Sequence, residues 1–183
     1  MKKLFVISGS SGVGKGTVLK EFLAKRKEFK LSISCTTRQM RPGEKDGENY
    51  FFISKEEFKQ GIEAGDFLEW AEFSDNYYGT GKSFIEKSLN KGENIILEIE
   101  TQGALQVKKL MPNAVLIFIA PPSFEELEQR LRGRQTEDEA VIQKRLNQAS
   151  REREESKQYH HVIVNDKIED TVRKLEEIID SYI

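Results

Sequence analysis

The passage from strand to helix near the N-terminus constrains this chain more than any other feature. Apolar Leu4–Ser8 runs directly into Gly9-Ser10-Ser11-Gly12-Val13-Gly14-Lys15-Gly16-Thr17, after which Val18, Leu19, Phe22 and Leu23 recur at helical spacing. Strand, glycine loop and helix in that order make a phosphate cradle. Glycines let successive backbone amides turn toward phosphate oxygens, the helix N-terminus adds its dipole, and Lys15 reaches the β and γ oxygens. A glycine-rich turn that happens to contain a lysine is the bland alternative, and both spacing and flanks weigh against it. A dinucleotide loop fits worse, because Lys15 has no role there and the GxGxxG register is absent. Such cradles carry Ser or Thr directly after the Lys to ligate Mg²⁺, but here Gly16 stands at that position. No direct side-chain ligation of metal is therefore expected. Thr17 is left for a phosphate oxygen, and Mg²⁺ for the substrate phosphates and water.

The rest of the chain alternates apolar runs with amphipathic segments, the pattern of a parallel sheet flanked by helices. The runs are Leu4–Ser8, Leu31–Cys35, Ile95–Glu98, Val115–Ala120 and Val162–Val164. Ala104, Val107 and Met111 share one helical face, as do Phe124, Leu127 and Leu131, and Ile168, Val172, Leu175, Ile179 and Tyr182 form the clearest stripe. Ser54–Glu57, Ser123–Glu126 and Thr136–Glu139 read as capping boxes at helix starts. Residues 36–90 break the alternation with turn chemistry, the extended Tyr50–Ile53, a short helix and the run Phe67–Phe73, which predicts an inserted subdomain. A second, charged insert is expected at Gly133–Thr136.

Composition narrows the class. A chain of 183 residues with 37% hydrophobic residues buries a core without staples. Its 33% charged content and mean hydropathy of −0.59 exclude a membrane span, and the opening apolar stretch is too short for a signal peptide. One cysteine forms no internal disulfide, which fits a reducing cytoplasm. A net charge of −2 with no like-charge block argues against a non-specific nucleic-acid binder.

Among phosphate-loop proteins, a GTPase needs Asn-Lys-x-Asp, and Asn165-Asp166-Lys167 is in another order. Motor and transport ATPases are usually much longer. The class left is the small nucleotide kinases, which need an acceptor site, a mobile arginine lid and a means of excluding water. Arg38 and Arg41 precede Tyr50, and forked guanidinium groups with a phenol suit a phosphate monoester. Glu69 lies in an apolar strand, and Tyr77-Tyr78-Gly79-Thr80 follows. Taken singly, each has an ordinary reading as solvated turn or strand packing.

Together with the cradle, Thr36-Thr37-Arg38, Arg41-Pro42-Gly43-Glu44, Asp46-Gly47 to Tyr50-Phe51-Phe52, Tyr77–Thr80, Leu97-Glu98-Ile99-Glu100 with Gln102-Gly103, and Arg130–Arg134 resemble the guanylate kinase family from Lys3 to about Tyr182. The resemblance implies a phosphate-loop (P-loop NTPase-type) α/β fold, one domain over residues 1–183. Its core would be 1–35 and 91–183, with a GMP-binding insert at about 36–90 and an arginine lid at about 130–145. It implies phosphorylation of GMP by ATP, with Mg²⁺, in purine nucleotide recycling. Arg38, Arg41, Tyr50 and Tyr78 would hold the GMP phosphate, and Ser34, Glu69, Thr80 and Glu100 would read guanine. Gly9 to Thr17 would hold ATP, Arg130, Arg134 and Arg145 would close over its phosphates, and Asn165 and Asp166 would lie near adenine. Glu100 stands where the family often has Asp, and Gly81 where Pro is common.

Two other classes stay open on the residues. Guanylate-kinase-like modules that bind proteins without catalysis typically have eroded loops, whereas Lys15, Arg38 and Arg41 are present here. A kinase for another small acceptor is the second, and Glu69 argues against it. Cys35 is expected as a buried strand thiol, Trp70 as packing, and Arg151–Glu155 as an exposed helix face. Adjacent His160 and His161 point to opposite sides of a strand and make a poor metal pair.

Overall fold

The computed structural model describes residues 3–73, 75–133 and 138–183. In chain order the elements are β1 (Leu4–Gly9), α1 (Lys15–Lys25), β2 (Phe29–Leu31), β3 (Cys35–Thr36), β4 (Phe51–Phe52), α2 (Lys55–Ala64), β5 (Phe67–Phe73) and β6 (Asn76–Gly81). There follow α3 (Lys82–Asn90), β7 (Asn94–Glu98), α4 (Thr101–Leu110), β8 (Val115–Ala120), α5 (Phe124–Gly133), α6 (Glu139–Glu155), a 3₁₀ turn, β9 (His161–Val164) and α7 (Ile168–Asp180).

Among the described residues, a five-stranded parallel sheet runs in the order β2-β7-β1-β8-β9. Alternation along its strands sends successive side chains to opposite faces. Phe5 and Ile7 of β1 join Val18, Leu19 and Phe22 of α1 and Val172, Leu175 and Ile179 of α7 on one face. Leu4 and Val6 join Ile85 of α3, Ala104 and Val107 of α4 and Tyr159 on the other. Both faces are covered, so β1 is buried along its whole length. The crossover pattern leaves the C-terminal ends of β1 and β7 open, and that is where open α/β sheets bind ligands.

A second, mixed sheet, β4-β3-β6-β5, carries the residues of the insert. Leu68 of β5 packs into the main core, and Gln106 of α4 donates to the backbone carbonyl of Trp70 and accepts from its amide, both at 3.2 Å. The insert is thereby fastened to α4 through β5. Ile85 of α3, within residues 36–90, is also buried against the main sheet.

Several local expectations change. Leu31–Cys35 is not one strand: Ser32 makes the last bond to Ile96, 2.8 Å, and the chain then leaves for the second sheet. The Asn76–Gly81 segment is a full strand, built by pairing with β5 rather than by its own pattern. The Ser54–Glu57 box is complete, but at Ser123 only the Glu126 amide is capped, and the Glu126 carboxylate accepts from Arg130 instead. Thr136 lies outside the described residues, as does the charged insert after Gly133. Asp138 caps α6, and Glu139 is spent on Arg132. Trp70 packs edge-on against Tyr77 but stays 38% exposed. Glu152, expected on an exposed face, is buried. His160 accepts from the Leu116 amide while His161 pairs with the Tyr182 hydroxyl.

Candidate active site

The loop after β1 is held open by conformation and by its surroundings. Gly12 and Gly14 have φ of 85° and 94°, a left-handed backbone that L side chains rarely adopt. A Cβ on Gly12 would meet Leu131 at 2.8 Å, and one on Gly14 the Asn165 amide at 2.8 Å. Val13, fully buried, anchors the loop from within. From outside, Asn165 donates to the Val13 carbonyl at 2.7 Å, and its other end accepts from Thr171 at 2.8 Å. Lys15 opens α1 immediately after this brace, and Gly16 and Thr17 are exposed beside it.

Arg145 of α6 donates to the Ser11 hydroxyl at 3.2 Å. Arg130 of α5 donates to the Asn165 carbonyl at 3.2 Å and, with Asp166 and Gly12 to Gly14, borders an open cavity. Ser10 is buried, and Gly9 closes β1. Arg130 and Arg145 are thus both at the loop, while Arg134 lies outside the described residues. Asn165 lines the same cavity, but both ends of its side chain are used within the protein, so it supports the loop rather than presenting a free amide.

The second sheet carries another group of polar residues. The Arg38 guanidinium donates to both carboxylate oxygens of Glu44, at 3.0 and 2.8 Å, and to the Gln39 carbonyl at 2.7 Å. The Arg41 amide also donates to Glu44, at 2.8 Å. These bonds hold the Glu44 carboxyl down to about 2. Arg38 lies over the Tyr50 ring at 5.4 Å, and Tyr50 meets Tyr78 edge-on at 6.2 Å. Burial pushes the Tyr50 phenol up. Four of the five guanidinium protons cluster on two nitrogens, and Glu44 uses that end. The Tyr78 hydroxyl also lies within reach of the Arg38 guanidinium.

Glu69 lies opposite Thr80 across β5 and β6, and the Thr80 hydroxyl donates to it at 2.6 Å. Both are buried, at 7% and 1% exposed. Burial pushes the Glu69 carboxyl up, and the Thr80 bonds pull against it. Its second oxygen abuts α4: a Cβ on Gly103 would come within 2.7 Å. Glu100, exposed, is the N-cap residue of the same helix but makes no capping bond with its side chain. The first turn of α4 therefore brings Glu69 and Glu100 to one place. Ser34 is half-buried just before β3, with its carbonyl taking the Phe51 amide.

Three residues went without a role in the sequence. Glu44 was detectable as a carboxylate in the turn directly after two arginines, and Gly103 as a glycine one turn into a helix. Glu98 ends β7 beside the loop, and its Oε1 is the nearest atom, 3.9 Å, to a Cβ built on Gly16. It is also among the charges felt by Tyr50. The cradle and the Arg38–Tyr50 wall therefore converge on the end of β7.

The family model "Guanylate kinase" matches residues 1–182. The chain belongs to the guanylate kinase family. It is 53% identical over 176 residues to a guanylate kinase of Desulfitobacterium hafniense, covering 96% of this chain and 88% of that one. A guanylate kinase of Prochlorococcus marinus is 49% identical over 181 residues, covering 99% and 98%. Among solved structures, the crystal structure of guanylate kinase from Anaplasma phagocytophilum superposes with a TM-score of 0.76 at 33% identity, over 98% of this chain and 85% of that chain. The guanylate kinase family fold, a parallel five-stranded sheet with a separate small mixed sheet, is the architecture described above.

Proposed function

We propose that the cleft between the two sheets carries out ATP + GMP = ADP + GDP by alignment and charge neutralisation, with the roles divided between loop and insert. The reaction is that of the family to which the chain belongs. Its acceptor is already a phosphate oxygen, so no general base is required. The Gly9–Thr17 loop with Lys15 holds the ATP phosphates, Arg145 and Arg130 approach them from α6 and α5, and Arg134 is assigned to the same lid. Asp166 and the Arg130 side of the cavity take the adenine. Arg38, Arg41, Tyr50 and Tyr78 take the GMP phosphate, and Ser34, Glu69, Thr80 and Glu100 take the base.

One observation carries the choice of GMP: a buried carboxylate, Glu69, positioned by Thr80 and by the bare Cα of Gly103. Guanine offers two adjacent donors, N1–H and the exocyclic amine, which one carboxylate accepts together. Adenine sets an unprotonated nitrogen there. Mg²⁺ fits the residues present, since Gly16 leaves open space beside the Glu98 carboxylate. Glu98 would hold it through water, Thr17 would face a phosphate oxygen, and the ion when bound would neutralise charge on the transferring phosphoryl. Among the described residues no helix is long and apolar enough to cross a membrane, and use of ATP and GMP pools supports a cytoplasmic site of action.

The test is release of ADP with GMP, AMP, UMP and dTMP compared side by side. GMP should be preferred by roughly 10⁴ or more, the range open to sites built on polar matching. Comparable turnover of AMP would remove the Glu69 pocket from base selection.

A further inference from the structure

Glu152 is a buried carboxyl that none of these roles uses. It lies on α6 and is 2% exposed, in a stretch that reads as solvated charge. Its Oε1 accepts from the Gln148 amide at 2.9 Å. No donor among the described residues reaches its Oε2, which is sealed from solvent. A buried carboxylate oxygen without a donor is costly, whereas a carboxylic acid needs only an acceptor.

The acceptor is present. The Thr101 hydroxyl at the start of α4 donates to Glu155, one turn along α6 from Glu152, so the adjacent Glu100 comes to the same place and its charge is felt by Glu152; two carboxyls can bond only when one of them carries a proton. Glu100 is exposed at a helix N-terminus, the better place for a negative charge. Glu152 is enclosed, so the proton belongs there. The other groups facing this point are Lys15 from α1 and the neutral phenol of Tyr159, itself surrounded by Glu155, Glu152 and Glu100. Glu155 takes the Thr101 hydroxyl, and Arg151 and Arg153 of the same helix lie on its exposed side. Burial first, and the charge of Glu100 next, push the Glu152 carboxyl up to about 7, against the pull of Gln148 and Lys15.

We propose that Glu152 is a positioning residue that keeps a proton on Oε2, donates it to Glu100, and so aims the Glu100 carboxylate at the guanine edge. This rests on the reading of Glu100 as a base contact. Because Glu100 does not cap its own helix, the bond from below is what fixes its direction. The proton is present below about pH 7 and lost above it, so the grip on GMP loosens through the neutral range.

The experiment compares the GMP KM and kcat of the parent, Glu152→Gln, Glu152→Ala and Glu100→Gln between pH 6 and 8.5, with a carbon-13 titration of the glutamate carboxyls in the ligand-free protein. A glutamine accepts from Gln148 and donates to Glu100 at any pH. It should hold the low-pH KM throughout, while the parent KM climbs about three- to tenfold, the size of one hydrogen bond. Glu152→Ala should show the raised KM at every pH with kcat little changed. A carboxyl titrating near pH 7 should vanish in Glu152→Gln. If no such titration exists, or if Glu152→Gln climbs with the parent, the proposal is overturned. If the titration is present but Glu100→Gln leaves the GMP KM and the preference over AMP unchanged, it is the placement of Glu100 on the base that fails.

Discussion

The Ser10–Gly14 loop is wedged between Leu131, Asn165 and the apolar end of β1, with two left-handed glycines and a buried valine fixing its shape. The wall formed by the second sheet is made differently. Its sheet has two strands of only two residues each, and its polar groups are aimed by one another, Thr80 by Glu69 and Arg38 by Glu44, with the Tyr50 ring set edge-on against Tyr78. The first site is shaped by steric exclusion and hydrophobic burial, the second by directional bonds between side chains. A loop that holds phosphates needs shape and positive charge. A pocket that discriminates between bases would need donors and acceptors in fixed places, because apolar fit discriminates weakly.

The contrast breaks first at Lys15. Lys15→Ala removes a charge that the loop shape cannot replace, and kcat should fall by ~10²–10³-fold while the melting temperature stays near the parent's. Turnover within a few-fold of the parent would mean that the loop acts by shape alone.

Glu69→Ala should act on the other side only. The GMP KM should rise by about 10²-fold, two charge-assisted bonds being lost, and the GMP-to-AMP ratio should narrow while the ATP KM holds. A rise in the ATP KM of the same size would show the two walls to be one cooperative unit. Because burial raises the Glu69 carboxyl, acid should neutralise it sooner than an ordinary carboxylate, and GMP affinity should fall from that side first.

The smallest effect sharpens the contrast within the acceptor wall. Glu44→Gln keeps the shape but weakens the hold on Arg38, so the GMP KM should rise by about tenfold or less with kcat nearly constant. The Glu44 carboxyl sits at about 2, below its unfolded value, so the stability this pair adds is complete above the ordinary carboxylate range and fades only as pH falls toward 2. A KM step for GMP near pH 4.5 that disappears in Glu44→Gln would contradict that.

These differences also explain which parts could be read from the chain. Residues 4–23 carry strand, loop and helix in continuous sequence, so local pattern sufficed, as it did for Val115–Ala120 and the stripe from Ile168 to Tyr182. The Phe67–Phe73 strand was legible too. Its partner β6 was not, because a strand of Asn, Tyr, Gly and Thr gains its stability from the neighbour it pairs with. Glu152 was misread for a related reason: among Arg and Glu neighbours, periodicity places it on a solvated face, and only the packing of α6 over the start of α4 buries it.

What the sequence determined by itself is the chemistry that depends on neighbours along the chain: a cradle for phosphates, a parallel sheet to carry it, and a lysine at its helix start. What only the tertiary structure decided is every contact between residues far apart in sequence. The Asn165 brace on Val13, the bare Cα of Gly103 against Glu69, and the Thr101 bond to Glu155 span 152, 34 and 54 positions. The physical reason is that backbone geometry repeats over a few residues, so local pattern fixes strands and helix faces. A hydrogen bond or a close approach has no period, and it exists only once the packed core has brought its two ends together.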